Sequence, residues 1–140
     1  MGFLDAAPEE WGGLTRRKMW EREKLDLALP DISRVSFILE WLGSECLGWF
    51  TQDGMGGLRP ISWGEMDAFA RLTQTDFEPW EAEQLRKCSA GYVAGYNLGR
   101  QPMVVSPAYE DRPDDDPGVA VERRRVSEQM KSALSGLAKK

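Results

Sequence analysis

The chain has 140 residues, with 18 Lys or Arg, 23 Asp or Glu and no His, so its formal net charge is −5 at pH 7. Without histidine, acid–base catalysis by imidazole, Ser-His-Asp triads and nearly all zinc catalysis are excluded. The acidic balance argues against a sequence-independent nucleic-acid binder, which needs a basic face. The length favours one domain, and 41% hydrophobic residues are enough for its core.

Targeting and redox features indicate a soluble protein of a reducing cytoplasm. The N-terminus lacks the basic start and long apolar run of a secretory signal. Arg34, Glu40 and Glu45 interrupt the longest apolar stretches, so we expect no membrane span. Cys46 and Cys88 lie in apolar helical patterns, which favours buried thiols over a disulfide.

The first third of the chain predicts two helices after an irregular arm at 1–14. Thr15 is a suitable N-cap for a helix over 15–29, in which apolar residues alternate with charged ones. Asp31 is a suitable N-cap for a second helix over 31–49. That helix is apolar on more than half of its circumference, so we expect it to be the central one.

Residues 62–97 predict a helical hairpin. Ser62 and Glu65 have the spacing of a capping box, in which each side chain accepts a hydrogen bond from a free backbone N–H at the helix start. Pro79 suits the first position of the second helix, where a missing N–H costs nothing. The hairpin completes a predicted helical domain over 1–99.

The composition changes after this domain. Residues 100–118 combine four prolines with acidic side chains, which predicts a disordered linker. Residues 119–140 regain helical spacing and predict an amphipathic helix that docks on the body or on a partner. Its narrow apolar stripe consists of Val126, Met130, Leu134 and Leu137. The expected fold class is therefore all-α, with about four helices in the domain, a linker and a terminal amphipathic helix.

Two segments resemble ligand sites only superficially. Gly54, Gly56 and Gly57 lack the Lys-Ser/Thr that follows in a phosphate-binding loop, so a mobile connection between helices is favoured. The acidic run 114–116 lacks the fixed geometry of a cation site. We therefore predict no catalytic residues, no metal ligands and no cofactor, and do not expect an enzyme.

The aromatic residues favour recognition by a helical surface. Trp63, Trp80, Tyr92 and Tyr96 recur at helical spacing, which is more typical of a core than of an exposed platform. Trp11 and Trp20 have less apolar surroundings and are the better candidates for a surface contact.

Several short motifs between Trp49 and Tyr96 together resemble those of one known family. They are Trp49-Phe50-Thr51-Gln52-Asp53-Gly54-Met55-Gly56-Gly57-Leu58, Pro60-Ile61-Ser62-Trp63-Gly64-Glu65-Met66, Ala70-Arg71-Leu72-Thr73, Pro79-Trp80-Glu81 and finally Tyr92. In this order they resemble tail assembly chaperones of long-tailed bacteriophages and prophages. The resemblance covers about a third of the chain. The family's second helix is often followed closely by the chain end, whereas about forty residues follow it here.

The resemblance implies a non-enzymatic protein that binds the tape measure protein and helps recruit tail tube subunits around it. Such chaperones act in the bacterial host cytoplasm and are absent from the mature virion, and many also have a longer form made by ribosomal frameshifting. We place the expected contact on Trp63, Phe69, Trp80, Leu85 and Tyr92, with Met130 and Leu134 as an auxiliary contact.

Two other functions remain open. A minor structural tail protein would be present in virions. A small phage-encoded regulator would bind a host protein or DNA through its basic clusters at Arg16, Arg17 and Lys18 and at 123–125. These clusters are short and neighbour carboxylates, so nucleic acid is the less favoured partner. Self-association into a homo-oligomer also remains open.

Overall fold

The computed structural model describes residues 1–27, 29–44 and 47–137. Over these residues the chain is mostly helical, with six α-helices and one two-stranded sheet, which agrees with the expected class. The helices are α1 (Gly2–Asp5), α2 (Arg16–Arg22), α3 (Ser36–Gly43), α4 (Trp63–Thr73), α5 (Pro79–Gly99) and α6 (Pro117–Leu137). The strands are β1 (Thr51–Gln52) and β2 (Leu58–Arg59), which pair antiparallel. Short 3₁₀ turns lie at Glu9–Trp11, Ser33–Val35, Pro107–Tyr109 and Pro113–Asp115.

The chain forms two compact units. Unit 1 consists of Met1–Gly2 and Pro30–Asn97, and unit 2 consists of Phe3–Leu29 and Leu98–Lys140. The predicted partition placed one domain at 1–99 and a linker and helix after it. The structure differs because the N-terminal segment shares a core with the C-terminal one.

Unit 1 is built around a cluster of buried side chains from α3, α4, α5 and the segments between them. The members are Ile38, Leu42, Leu47, Ile61, Met66, Phe69 and Leu85. Aromatic rings extend this core, since Trp41 packs edge-to-face on Phe77 at 5.0 Å and Phe77 stacks on Phe69 at 5.9 Å between ring centres. These three aromatic rings therefore contribute to the packing of unit 1.

The predicted helix starts in unit 1 agree with the structure. Ser62 Oγ accepts a hydrogen bond from the Glu65 N–H at 3.2 Å, and the Glu65 carboxylate accepts one from the Ser62 N–H at 2.6 Å. The latter bond holds the pKa of Glu65 below its usual value. Pro79 is the first residue of α5. Gln74, in the left-handed conformation at φ 55°, ends α4.

The helix predicted over 31–49 is shorter in the structure, where α3 follows a 3₁₀ turn and ends at Gly43. Just beyond it, the Ser44 hydroxyl donates a hydrogen bond to the Trp41 carbonyl at 2.7 Å and accepts one from the Leu47 N–H. Such side-chain bonds compete with continuation of a helix. Cys46, predicted to be buried, lies outside the described residues.

A buried serine ties α5 to the chain that precedes α4. Ser89 Oγ accepts a hydrogen bond from the Ile61 N–H at 2.9 Å and donates one to the Trp49 carbonyl at 2.8 Å. Its side chain is fully buried. One hydroxyl therefore satisfies two backbone groups of different segments.

Replacing Ser89 by alanine is expected to lower the free energy of unfolding by about 1–3 kcal/mol, because both backbone groups lose their partner. Urea denaturation followed by tryptophan fluorescence measures this change. Ser127→Ala, at an exposed serine of α6, is the matched control and is expected to change stability by less than about 0.5 kcal/mol. Equal stabilities of the two variants would contradict the role given to Ser89.

Unit 2 encloses Phe3, Leu4, Met19 and Trp20, all of which are buried. The arm predicted over 1–14 contains α1 and a 3₁₀ turn, and it supplies part of this core. Trp20 is fully buried, so its predicted role as a surface contact is wrong. Its ring packs edge-to-face on Tyr109 at 6.5 Å between centres.

The helix predicted over 15–29 ends earlier, at Arg22. Thr15 caps its start as predicted, since the side chain accepts a hydrogen bond from the Lys18 N–H. At the other end Lys24 adopts the left-handed conformation at φ 56°, and the Leu25 N–H donates to the Trp20 carbonyl. The left-handed residue and this hydrogen bond end the helix and change the direction of the chain.

Residues 100–118 were predicted to be a disordered linker, but the structure gives them two 3₁₀ turns and two buried polar residues. Asp116 accepts hydrogen bonds from the Ser106 N–H at 2.6 Å and from the Gly118 N–H at 2.7 Å. The carboxylate thereby satisfies a free donor at the start of α6 and fixes the loop before it. Composition predicted solvation, whereas specific hydrogen bonds order this segment.

Candidate partner-binding site

Two tryptophans are exposed at the helix starts of unit 1. Trp63 is the first residue of α4 and Trp80 is the second residue of α5. Their exposed fractions are 55% and 46%. Large exposed aromatic rings on rigid helices are the residue type that most often dominates protein–protein binding.

Arg86 holds the ring of Trp63 in place. Its guanidinium carbon lies 5.7 Å from the ring centre, within the range of a cation–π contact, and its Nη1 donates to the Ile61 carbonyl at 2.6 Å. A shallow cleft of about 360 Å³ lies beside this pair. The residues lining it are Trp63, Glu83, Arg86, Lys87 and Ala90.

Trp80 lies on the same side of α5 as Glu83 and Lys87, since the spacings of three and seven residues return to one helix face. The Lys87 ammonium and the Glu83 carboxylate pair at 3.5 Å on this face. The Trp80 ring packs edge-to-face on Phe37 at 6.3 Å between centres, which limits its freedom. We define the tryptophan face as Trp63, Trp80, Glu83, Arg86, Lys87 and Ala90.

Three other predicted contact residues of unit 1 are not exposed in the same way. Phe69 and Leu85 are buried in the core. Tyr92 is half-buried and stacks on Trp49 at 5.2 Å and on Phe50 at 5.8 Å between ring centres. Phe69 and Leu85 therefore offer no surface to a partner in this conformation.

Met130 and Leu134, the predicted auxiliary contact, lie on α6 in unit 2 and are exposed. Sequence reasoning missed Arg86, Lys87 and Glu83. The helical spacing from Trp80 could have indicated Glu83 and Lys87. The contact of Arg86 with Trp63 depends on how α4 packs on α5, and no local pattern encodes it.

The glycine-rich segment forms the turn between β1 and β2. The Asp53 carboxylate accepts hydrogen bonds from the Met55 N–H at 2.9 Å and the Gly57 N–H at 2.7 Å. The Asp53 N–H in turn donates to the Gly57 carbonyl at 2.8 Å. A carboxylate of the chain thus binds the amides that a phosphate loop would offer to its ligand, which weighs against a phosphate site.

Several arginines of the two basic clusters, 16–18 and 123–125, are buried or paired with carboxylates of the same chain. Arg16 is buried, and Arg17 pairs with Asp5 at 3.0 Å. Arg125 contacts the Glu122 carboxylate at 2.6 Å, and that pairing is the main reason why its pKa lies above the usual value. These contacts compete with phosphate groups for the guanidinium ions, so they disfavour a nucleic-acid interface at either cluster.

The described residues contain no group of three or more Cys, Asp or Glu side chains placed to hold a metal ion. Burial raises the pKa of the Cys88 thiol, which keeps it protonated and a poor nucleophile at neutral pH. The predicted burial of Cys88 is met in part, since its side chain is half-buried.

Comparison of the chain with family models, with curated proteins and with solved structures gives no match. Within the described ranges, none of the helices combines the length and apolar character needed to cross a bilayer.

Proposed function

We propose that this chain is a non-enzymatic tail assembly chaperone, which binds the tape measure protein in the bacterial host cytoplasm, assists tail tube assembly and is absent from the mature virion. The observation that carries the proposal is the exposure of Trp63 and Trp80 on rigid helix starts. Both residues belong to the motifs that resemble the chaperone family.

The chemistry of the tryptophan face suits a helical partner with an apolar stripe. The two indole rings supply apolar area, and the small side chain of Ala90 lines the cleft beside Trp63. Glu83, Arg86 and Lys87 line the same cleft and supply charges of both signs beside Trp63. An amphipathic helix could place apolar side chains against the rings and its flanking polar groups against these charges. The net charge of −5 would help to keep such a complex soluble.

The joint substitution Trp63→Ala and Trp80→Ala is expected to reduce capture of the tape measure protein by more than about tenfold, since buried tryptophans at an interface each contribute on the order of 2 kcal/mol or more. The tagged chain is recovered from cells producing particles, and mass spectrometry quantifies proteins in the eluate and in purified particles. The chain itself is expected to be missing from the particles.

The control is Leu72→Ala, which removes a side chain that is 85% exposed on α4 but outside the tryptophan face. It should capture the tape measure protein as the unaltered chain does. Circular dichroism and the thermal midpoint verify that all variants are folded. Undiminished capture by the double variant would overturn the proposed face, and stoichiometric presence in particles would show a structural tail protein instead.

A further inference from the structure

The second half of α6 lacks any cover in the structure. The start of this helix is held in unit 2, where Val119 and Glu122 are buried. Every residue from 127 to 137 is exposed, and we call this segment the distal arm. At 1.5 Å per residue the arm is about 16 Å long. So short a helix, containing three serines and Gly136, gains little stability from its own residues.

The distal arm carries an apolar stripe with a basic edge. Met130, Leu134 and Leu137 are 64%, 66% and 72% exposed, and spacings of four and three residues place them on one face. Lys131 in the arm and Arg124, three residues before the arm begins, lie two turns apart along one edge of that face. Neither forms an ion pair with a residue that the structure describes.

Unit 2 also contains a surface groove that is mostly apolar and has a carboxylate in its wall, so it complements the apolar stripe and basic edge of α6. Its volume is about 420 Å³. The lining residues are Leu98, Met103, Val104, Val105, Pro107, Glu110 and Pro113, so α6 of the same chain contributes none of them. We call it the acidic groove, because Glu110 lies in its wall and Asp111 follows directly. Among the described residues, neither of these two carboxylates has an ion-pair partner.

We propose that the distal arm of one copy docks in the acidic groove of a second copy, and that two copies exchange arms reciprocally. The stripe of Met130, Leu134 and Leu137 would contact the apolar lining of the acidic groove while Arg124 and Lys131 approach Glu110 and Asp111. Complementary charge favours this occupant over a second stripe, because stripe-on-stripe pairing would bring two basic edges into one interface. Reciprocal exchange also closes the assembly at two copies, as an isologous contact requires.

The test is sedimentation velocity of the full chain over a concentration series at low ionic strength. The unaltered chain is expected to pass from monomer to dimer as its concentration rises. Met130→Gln with Leu134→Gln removes the stripe, and Met103→Lys places a repelling charge in the groove. Each variant is expected to raise the dissociation constant of the dimer by about tenfold or more. Added salt should weaken the unaltered dimer, because the paired charges are screened.

Matched control variants carry the same types of substitution at exposed sites of unit 1. Met55→Gln with Leu72→Gln alters an exposed Met and Leu of unit 1, and Met55→Lys repeats the charge insertion at a fully exposed site. Both controls should dimerise like the unaltered chain, and circular dichroism should show unchanged helix content throughout. A chain that stays monomeric at all concentrations would refute the exchange. So would a Met103→Lys variant that dimerises normally, since the arms would then pair with each other.

Discussion

Replacing Leu85 by alanine is expected to lower the free energy of unfolding of unit 1 by about 2–5 kcal/mol, the range for deleting a buried leucine side chain from a packed core. Leu85 is fully buried on α5 among Ile61, Met66 and Phe69. Its removal deletes apolar contacts and leaves a cavity that rigid aromatic neighbours fill poorly. Guanidinium denaturation followed by tryptophan fluorescence measures the change.

The control for this prediction is Leu72→Ala, the same substitution at an exposed leucine of α4. It should shift stability by less than about 0.5 kcal/mol. If both variants were equally stable, Leu85 would not be part of the core. The result also decides how binding experiments are designed, because a substitution at Leu85 would weaken the fold and could not report on a surface.

Replacing Arg16 by methionine is expected to lower the free energy of unfolding of unit 2 by about 3–5 kcal/mol, as for removal of one partner from a buried charged network. The guanidinium is buried and donates to the carbonyls of Gly99 at 2.7 Å, Gln101 at 2.5 Å and Pro102 at 3.1 Å. Methionine keeps much of the side-chain volume but donates no hydrogen bond. Thermal unfolding monitored by circular dichroism measures the loss.

Arg16 remains charged at neutral pH. Burial lowers its pKa to about 10, and the carboxylates of Asp116 and Glu122 oppose that shift. Its removal therefore deprives these carboxylates of a positive charge as well. Arg22→Met is the control on the same helix, because Arg22 pairs with Glu23 at 3.6 Å near the surface and should contribute less than about 1 kcal/mol. Arg16→Met with unchanged stability would show that the network is dispensable.

The parts of the fold that sequence predicted are those determined by neighbours in the chain. The capping box of Ser62 and Glu65, the Thr15 cap and the start of α5 at Pro79 each depend on residues at most a few positions apart. The same is true of α6, whose helical spacing is visible in the sequence. Local chemistry specifies such features before any tertiary contact forms.

The parts that sequence missed depend on distant residues. Arg16 looks like a solvated cation because its acceptors lie more than eighty positions away, at Gly99 to Pro102. Trp11 donates to the Glu122 carboxylate at 3.0 Å, across almost the whole chain. Neither composition nor periodicity predicts these long-range pairs. The sequence of 100–118 therefore predicts a disordered linker, although the structure orders it.

The features of the candidate site also divide into those that local sequence predicts and those that tertiary packing determines. Trp63 and Trp80 could be named from their motifs, and their positions at helix starts follow from local caps. Their exposure, the burial of Phe69 and Leu85 and the contact between Arg86 and Trp63 are products of tertiary packing. Helical spacing predicts which residues share a face, but the neighbouring helices decide which face is covered.

The make-up of the two units has a consequence for synthesis on the ribosome. Nearly all of unit 1 is one uninterrupted stretch, Pro30–Asn97, so its contacts can form as soon as that stretch has emerged. Unit 2 joins Phe3–Leu29 to Leu98–Lys140, so its first segment waits until almost the entire chain has been translated. Closing so long a loop slows folding and leaves Met19 and Trp20 without their final neighbours meanwhile. A transcript cut short after unit 1 would yield a folded helical body with an apolar N-terminal segment left open to cellular chaperones and proteases.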